Sequence, residues 1–111
     1  MPMFSFNKSS YESRLLELLQ DKFFKTAKRN KIIAKWAAGR LGYTQSQLSR
    51  YVRGIIFSYL VVPNDRKMIN KILEDFRIAN ISMTEEIIVQ KINVVEDRIK
   101  SKAGAKKNDH G

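Results

Sequence analysis

At 111 residues the chain has room for one domain, and no apolar run approaches the ~20 residues of a membrane span, so transmembrane insertion is excluded. Cysteine is absent, which removes disulfides, thiolate catalysis and cysteine-based metal sites and is compatible with a reducing cytoplasm. Lysine and arginine number 21 against 11 aspartates and glutamates, a net charge of +10 that suits an acidic partner, although a chain this rich in Lys, Ile and Asn acquires such a charge from AT-rich coding sequence as well.

The opening MPMFSFNKSS lacks the charged head, apolar body and small-residue cleavage site of a secretory signal. Beyond it no stretch alternates as a strand does, and the only prolines are Pro2 and Pro63. The spacing of caps and apolar stripes predicts an all-α protein: a four-helix domain with a long first helix and a disordered, basic C-terminal tail. The expected helices cover about 10–41, 45–61, 65–78 and 83–101, and the tail covers 103–111. Ser9 with Glu12, Thr44 with Gln47 and Ser82 with Glu85 have the capping-box spacing, and Asn64 or Asp65 caps the helix after Pro63. Gly42, Pro63 and Asn80 supply the stops.

The first helix is too long for its domain: Ser10 to Leu41 as one rod spans ~48 Å at ~1.5 Å per residue. At ~100° per residue, Leu16, Leu19, Phe23, Ala27, Ala34, Ala38 and Leu41 share an arc free of cations. Lysines and arginines fill the other side, with Tyr11, Leu18, Ile32, Ile33 and Trp36 among them. A small body encloses this helix from about residue 23 onward. The part before it either projects towards a partner or folds back to add Leu16 and Leu19 to the core.

In the second helix, LGYTQSQLSRYVRG at 41–54 starts as many DNA-binding helix-turn-helix units do. The next residues, IIFSYLVVP, have almost no donors for base edges and stop at Pro63, so they do not form a recognition helix. That run is expected in a core or against another helix. Ile69, Ile72, Leu73 and Phe76 on the third helix, and Ile88, Ile92, Val95 and Ile99 on the fourth, form core stripes.

No catalytic constellation stands out. His110 sits alone in the polar tail, without a second imidazole or a thiolate to complete a metal site. Glu85–Glu86 complement a helix dipole, and the five glycines make no phosphate-cradling loop. Neither enzymatic activity nor a cofactor nor a metal is expected.

The stretch FFKTAKRNKIIAKWAAGRLGY, residues 23–43, resembles the segment that marks the zeta-subunit family of ATPase inhibitors of the alphaproteobacterial F-type ATP synthase. The likeness rests on Phe23, Lys28, Arg29, Asn30, Lys31, Ile32, Ile33, Trp36, Ala37, Ala38, Leu41 and Gly42. It continues through Pro63 and Asp65, then Ser82, Glu85 and Ile87, and upstream through Phe4, Tyr11, Glu12 and Arg14. Two features depart from the family pattern: a leucine-rich stretch, Leu15 to Asp21, where relatives are acid-rich, and a more basic chain overall.

The resemblance implies a four-helix regulatory subunit that binds the catalytic and non-catalytic head subunits near the rotor stalk and blocks ATP hydrolysis with its N-terminal segment. It implies a cytoplasmic protein held at the inner face of the membrane through the synthase. On that reading 1–21 is the inhibitory segment and 22–102 the body. Phe4, Tyr11, Glu12, Arg14, Leu15, Leu18 and Leu19 are then the partner-binding residues, with Lys28, Arg29, Lys31 and Lys35 as a secondary interface. The +10 charge keeps a nucleic-acid-associated helical protein as the alternative, which steep weakening of binding with salt would reveal.

Overall fold

The computed structural model describes the backbone over 9–109 and side chains over 12–102. Four helices succeed one another: α1 (Ser9–Leu41), α2 (Gln45–Val61), α3 (Asp65–Ile78) and α4 (Glu85–Asp109). The described residues contain no strand.

The punctuation between the helices is chemical. At the end of α1, Gly42 takes φ 78°, its N–H donates to Gly39 O at 3.1 Å, and Tyr43 N–H donates to Ala38 O at 3.1 Å. At the end of α3, Asn80 takes φ 61°, and the same pair of bonds runs from Asn80 to Arg77 and from Ile81 to Phe76. Both are Schellman stops, which satisfy carbonyls that a helix end leaves open. A Cβ on Gly42 would meet nothing within 4 Å, so glycine is needed there for its dihedral angle alone. Gly42→Ala is therefore expected to cost about 1 kcal/mol, lowering the melting temperature by about 4–8 °C, and Asn80→Gly to raise it. Thermal denaturation of the two variants checks both signs.

Thr44 forms the anticipated capping box with Gln47. Asn64, not Asp65, caps α3 by accepting from Lys67 N–H at 3.0 Å. The start of α4 differs from expectation. Thr84 Oγ1 accepts from Ile87 N–H at 3.2 Å, so Thr84 caps this helix and Ser82 stays outside it. Helix α4 also runs past residue 101, because among SKAGAKKND only Gly104 opposes a helix, at about 1 kcal/mol. Residues 110–111, with His110, lie outside the described residues.

The core is built from Ile33, Ala34, Ala37, Ala38 and Leu41 of α1, Val52 and Ile55 of α2, Met68, Ile69, Ile72 and Phe76 of α3, and Ile88, Ile92 and Val95 of α4. Three alanines on α1 with no exposed surface let neighbouring helices approach closely. Ile33, read from its angle as lying among the cations, is also fully buried. The other three helices cover α1 more widely than the cation-free arc alone.

The enclosed part of α1 starts later than residue 23. Phe23 is 49% exposed, Thr26 and Ala27 are the first half-buried positions, and Arg29 is the first buried one. Leu16 and Leu19, at 59% and 55% exposed, do not fold back into the core. The N-terminal half of α1 therefore stands clear of the body. The radius of gyration, 17.8 Å, records this elongation against about 13 Å for a compact domain of this length.

The run IIFSYLVVP is only partly core. Ile55 is buried and Ile56 and Tyr59 are half-buried, but Phe57, Leu60, Val61 and Val62 are exposed. A helix offers its neighbours one face in each turn, and an apolar residue at nearly every position leaves the rest in solvent.

Candidate functional site

The exposed half of α1 is apolar on more than one side. Leu15, Leu16, Leu18, Leu19, Phe23 and Phe24 are 48–65% exposed, and the two phenylalanine rings meet edge to face at 5.7 Å. Leu15, Leu16, Leu19 and Phe23 share one face, with Leu18 and Phe24 to either side. Glu12 and Arg14 are exposed on the same helix, while Asp21 pairs with Lys25 one turn on at 3.1 Å. Of the residues expected to bind a partner, Glu12, Arg14, Leu15, Leu18 and Leu19 thus fall together on a solvent-facing helix. Phe4 and the Tyr11 side chain lie outside what the structure describes.

This helix does not end in open solvent on its inner side. Between Leu19 and Phe23 of α1 and Ile56, Leu60 and Pro63 at the end of α2 runs a groove of about 410 Å³, with Asn30 and Tyr59 on its walls. The sequence places this run in a core or against another helix, and its last residues instead line a surface groove. The signal was present in the run itself, since no helix can bury seven apolar residues out of eight against one small body.

The groove ends at the junction where α1 enters the body, and Arg29 holds that junction. Arg29 is 6% exposed, so it does not share the surface expected for it with Lys28, Lys31 and Lys35. Its guanidinium donates to Asp65 Oδ1 at 2.6 Å and Oδ2 at 3.3 Å, and to Glu96 Oε2 at 2.7 Å. Its Nε donates to Asn30 Oδ1 at 3.0 Å, and its carbon centre lies 5.6 Å from the Tyr59 ring. Tyr59 O–H in turn donates to Asp65 Oδ1 at 2.8 Å. One side chain thus ties together all four helices. Buried guanidinium charge demands such partners, because an unpaired one is costly.

The electrostatics arise from these contacts. Burial opposes the Arg29 charge, but hydrogen bonds to Asp65 and Glu96 outweigh it and push its pKa above the ordinary value. The Arg29 hydrogen bonds hold the Asp65 carboxyl below its ordinary value against partial burial, with help from Tyr59. Burial, then the Asp65 bond, pushes Tyr59 up. Lys28, Lys31 and Lys35 remain exposed on the outer face of α1, and none forms an ion pair among the described residues. Ile32, 37% exposed, lies between them.

The body is all-α and carries a projecting apolar helix with a groove at its base. The family emerges from comparison along the chain. The model of the family ATPase inhibitor subunit zeta matches residues 1–102, and the chain belongs to that family. The family is one of inhibitor subunits rather than enzymes. No curated protein and no solved structure matches the chain. No helix among the described residues is long and apolar enough to cross a membrane.

Proposed function

We propose that the chain is a regulatory subunit that associates with the F-type ATP synthase and inhibits ATP hydrolysis by inserting the N-terminal part of α1 between catalytic and non-catalytic subunits near the rotor stalk. Membership of the inhibitor family supports the ATP synthase as target. The observation that carries the insertion is the row of leucines and phenylalanines at 15–24, each about half exposed or more on a helix that the body leaves uncovered. Such a surface gains by burial in a partner cleft. In this reading residues 1–21 are the inhibitory segment and 22–102 the body that holds it in place. Lys28, Lys31 and Lys35 meet acidic groups at the rim of the contact, where charge contributes to approach and orientation more than to affinity.

The test is ATP hydrolysis by the purified synthase head as the full chain is added. The expected result is a fall to a low plateau at stoichiometric occupancy, with the head subunits retained on immobilised chain. Unchanged hydrolysis while the chain is demonstrably bound would remove the inhibitory role and leave an association subunit.

A further inference from the structure

We propose that the free chain forms an antiparallel dimer, in which the N-terminal half of α1 from each copy lies in the α1–α2 groove of the other. Three observations carry it. The first is area. Leu15, Leu16, Leu19, Phe23 and Leu60 form a continuous strip along and above the groove, each 48–59% exposed. With Pro63 and the half-buried Ile56 beside them, the strip offers about 500–600 Å² per copy. A pair then buries about 1,000–1,200 Å², the lower end for specific complexes.

The second is charge. Between residues 12 and 21 α1 carries three acids and one base, and between 22 and 31 five bases and no acid. An antiparallel pair with its two-fold axis near Leu19 lays residues 12–16 of each copy, with Glu12, over residues 22–26 of the other, with Lys22 and Lys25. A parallel pair sets acids on acids and bases on bases.

The third is a buried donor. Asn30 is 1% exposed, and its Oδ1 accepts from Arg29, which fixes the amide orientation. Its NH₂ group donates to none of the described residues, on the wall of the same groove. Unsatisfied buried donors are rare in folded proteins, and a segment laid in the groove can supply an acceptor.

The association stands on these residues alone. Its consequence rests on the inhibitor reading: the dimer covers the segment that inhibits, so the dimer and the inhibited complex exclude each other and inhibition falls off where the chain is concentrated.

The experiment is sedimentation of the full chain from about 1 to about 300 µM, which brackets the affinity an interface this small provides. Monomer at the dilute end and dimer at the concentrated end is expected; monomer throughout overturns the proposal. Leu60→Glu, at an exposed position, is expected to weaken the dimer at least tenfold with an unchanged circular dichroism spectrum. A variant that pairs as well as the parent overturns the groove as its seat. Because the chain has no cysteine, single substitutions report orientation. Gln20→Cys, near the axis, is expected to form a disulfide-linked dimer and Ser13→Cys is not, whereas linkage at both means a parallel pair and overturns the proposal. Hydrolysis assays at nanomolar chain separate the two readings: a chain that inhibits but never pairs defeats only this inference, and one that pairs but never inhibits defeats only the inhibitor reading.

Discussion

Deletion of residues 1–21 is expected to abolish inhibition of ATP hydrolysis while moving the melting temperature of the body by only a few degrees. The described side chains removed are exposed, Leu15, Leu16, Leu18 and Leu19 by 48–63%, so the core gives up little. A partner cleft, in contrast, loses most of its contact. Full burial of such a side chain contributes ~1.5–3 kcal/mol, and roughly half of that is still available here because each is already partly covered. Three or four of them therefore account for about 2–6 kcal/mol, a loss of affinity of about 40- to 10⁴-fold. Thermal unfolding and hydrolysis are measured on the same truncated chain. Full inhibition by it would move the inhibitory surface to Lys28, Lys31 and Lys35. A fall of the melting temperature by tens of degrees would mean that the segment belongs to the body.

Arg29→Met is the substitution expected to harm the fold most for its size. It keeps the aliphatic packing but strips Asp65, Glu96, Asn30 and Tyr59 of their common partner. The carboxylate side chains are 46% and 42% exposed, so they recover part of their hydration, and the expected cost is about 2–3 kcal/mol, below that of a fully buried pair. The melting temperature falls by about 10–20 °C. The same cluster sets a pH dependence. Asp65 is held below its ordinary 3.8, so the folded chain gives up this proton more readily than the unfolded one. The stability it contributes is complete above that value and drains away as the pH drops below it. Tyr59, and Tyr51 through burial and its bond to Asp75, are pushed above their ordinary 10.0, so they contribute stability that is complete below pH 10 and lost as the pH rises further. Asp65→Asn is expected to flatten the acid limb of a melting-temperature profile and to reduce the Tyr59 share of the alkaline limb, leaving the Tyr51 share in place.

Helix number, the starts of α2 and α3, and every stop up to Asn80 were legible in the sequence, because caps and Schellman turns are local chemistry. Thr44 needs only Gln47 three residues on, and Gly42 needs only its own dihedral freedom. The start of α4 was misread because Ser82 and Thr84 both offer a hydroxyl, and the choice depends on where Met83 packs against the core. Length alone marked the leucines of α1 as more than the body needs, but left open whether Leu16 and Leu19 fold back, which only the packing decides. Arg29 was not, since a basic residue in a basic helix signals nothing until Asp65 and Glu96, 36 and 67 positions away, are brought to it by the fold. The exposed end of α2 was hidden by its own hydrophobicity. Apolar residues at nearly every position say that something covers them, without saying whether it belongs to the same molecule.

The length of α1 bears on how the chain meets a partner. A free peptide of the 9–25 sequence must nucleate its own helix, fixing several residues before the first hydrogen bond forms, and at this length that leaves it marginal in water. Within the intact chain the buried turns from Arg29 to Leu41 already form that nucleus, and residues ahead of them join by propagation, one hydrogen bond per residue fixed. Amide exchange should then grade smoothly along a single helix, slow at Ile33 and Ala37 and progressively faster towards Glu12, with no boundary at the edge of the body. A partner that closes over the leucines has no helix to create; it only has to extend a zipper that the core has already started.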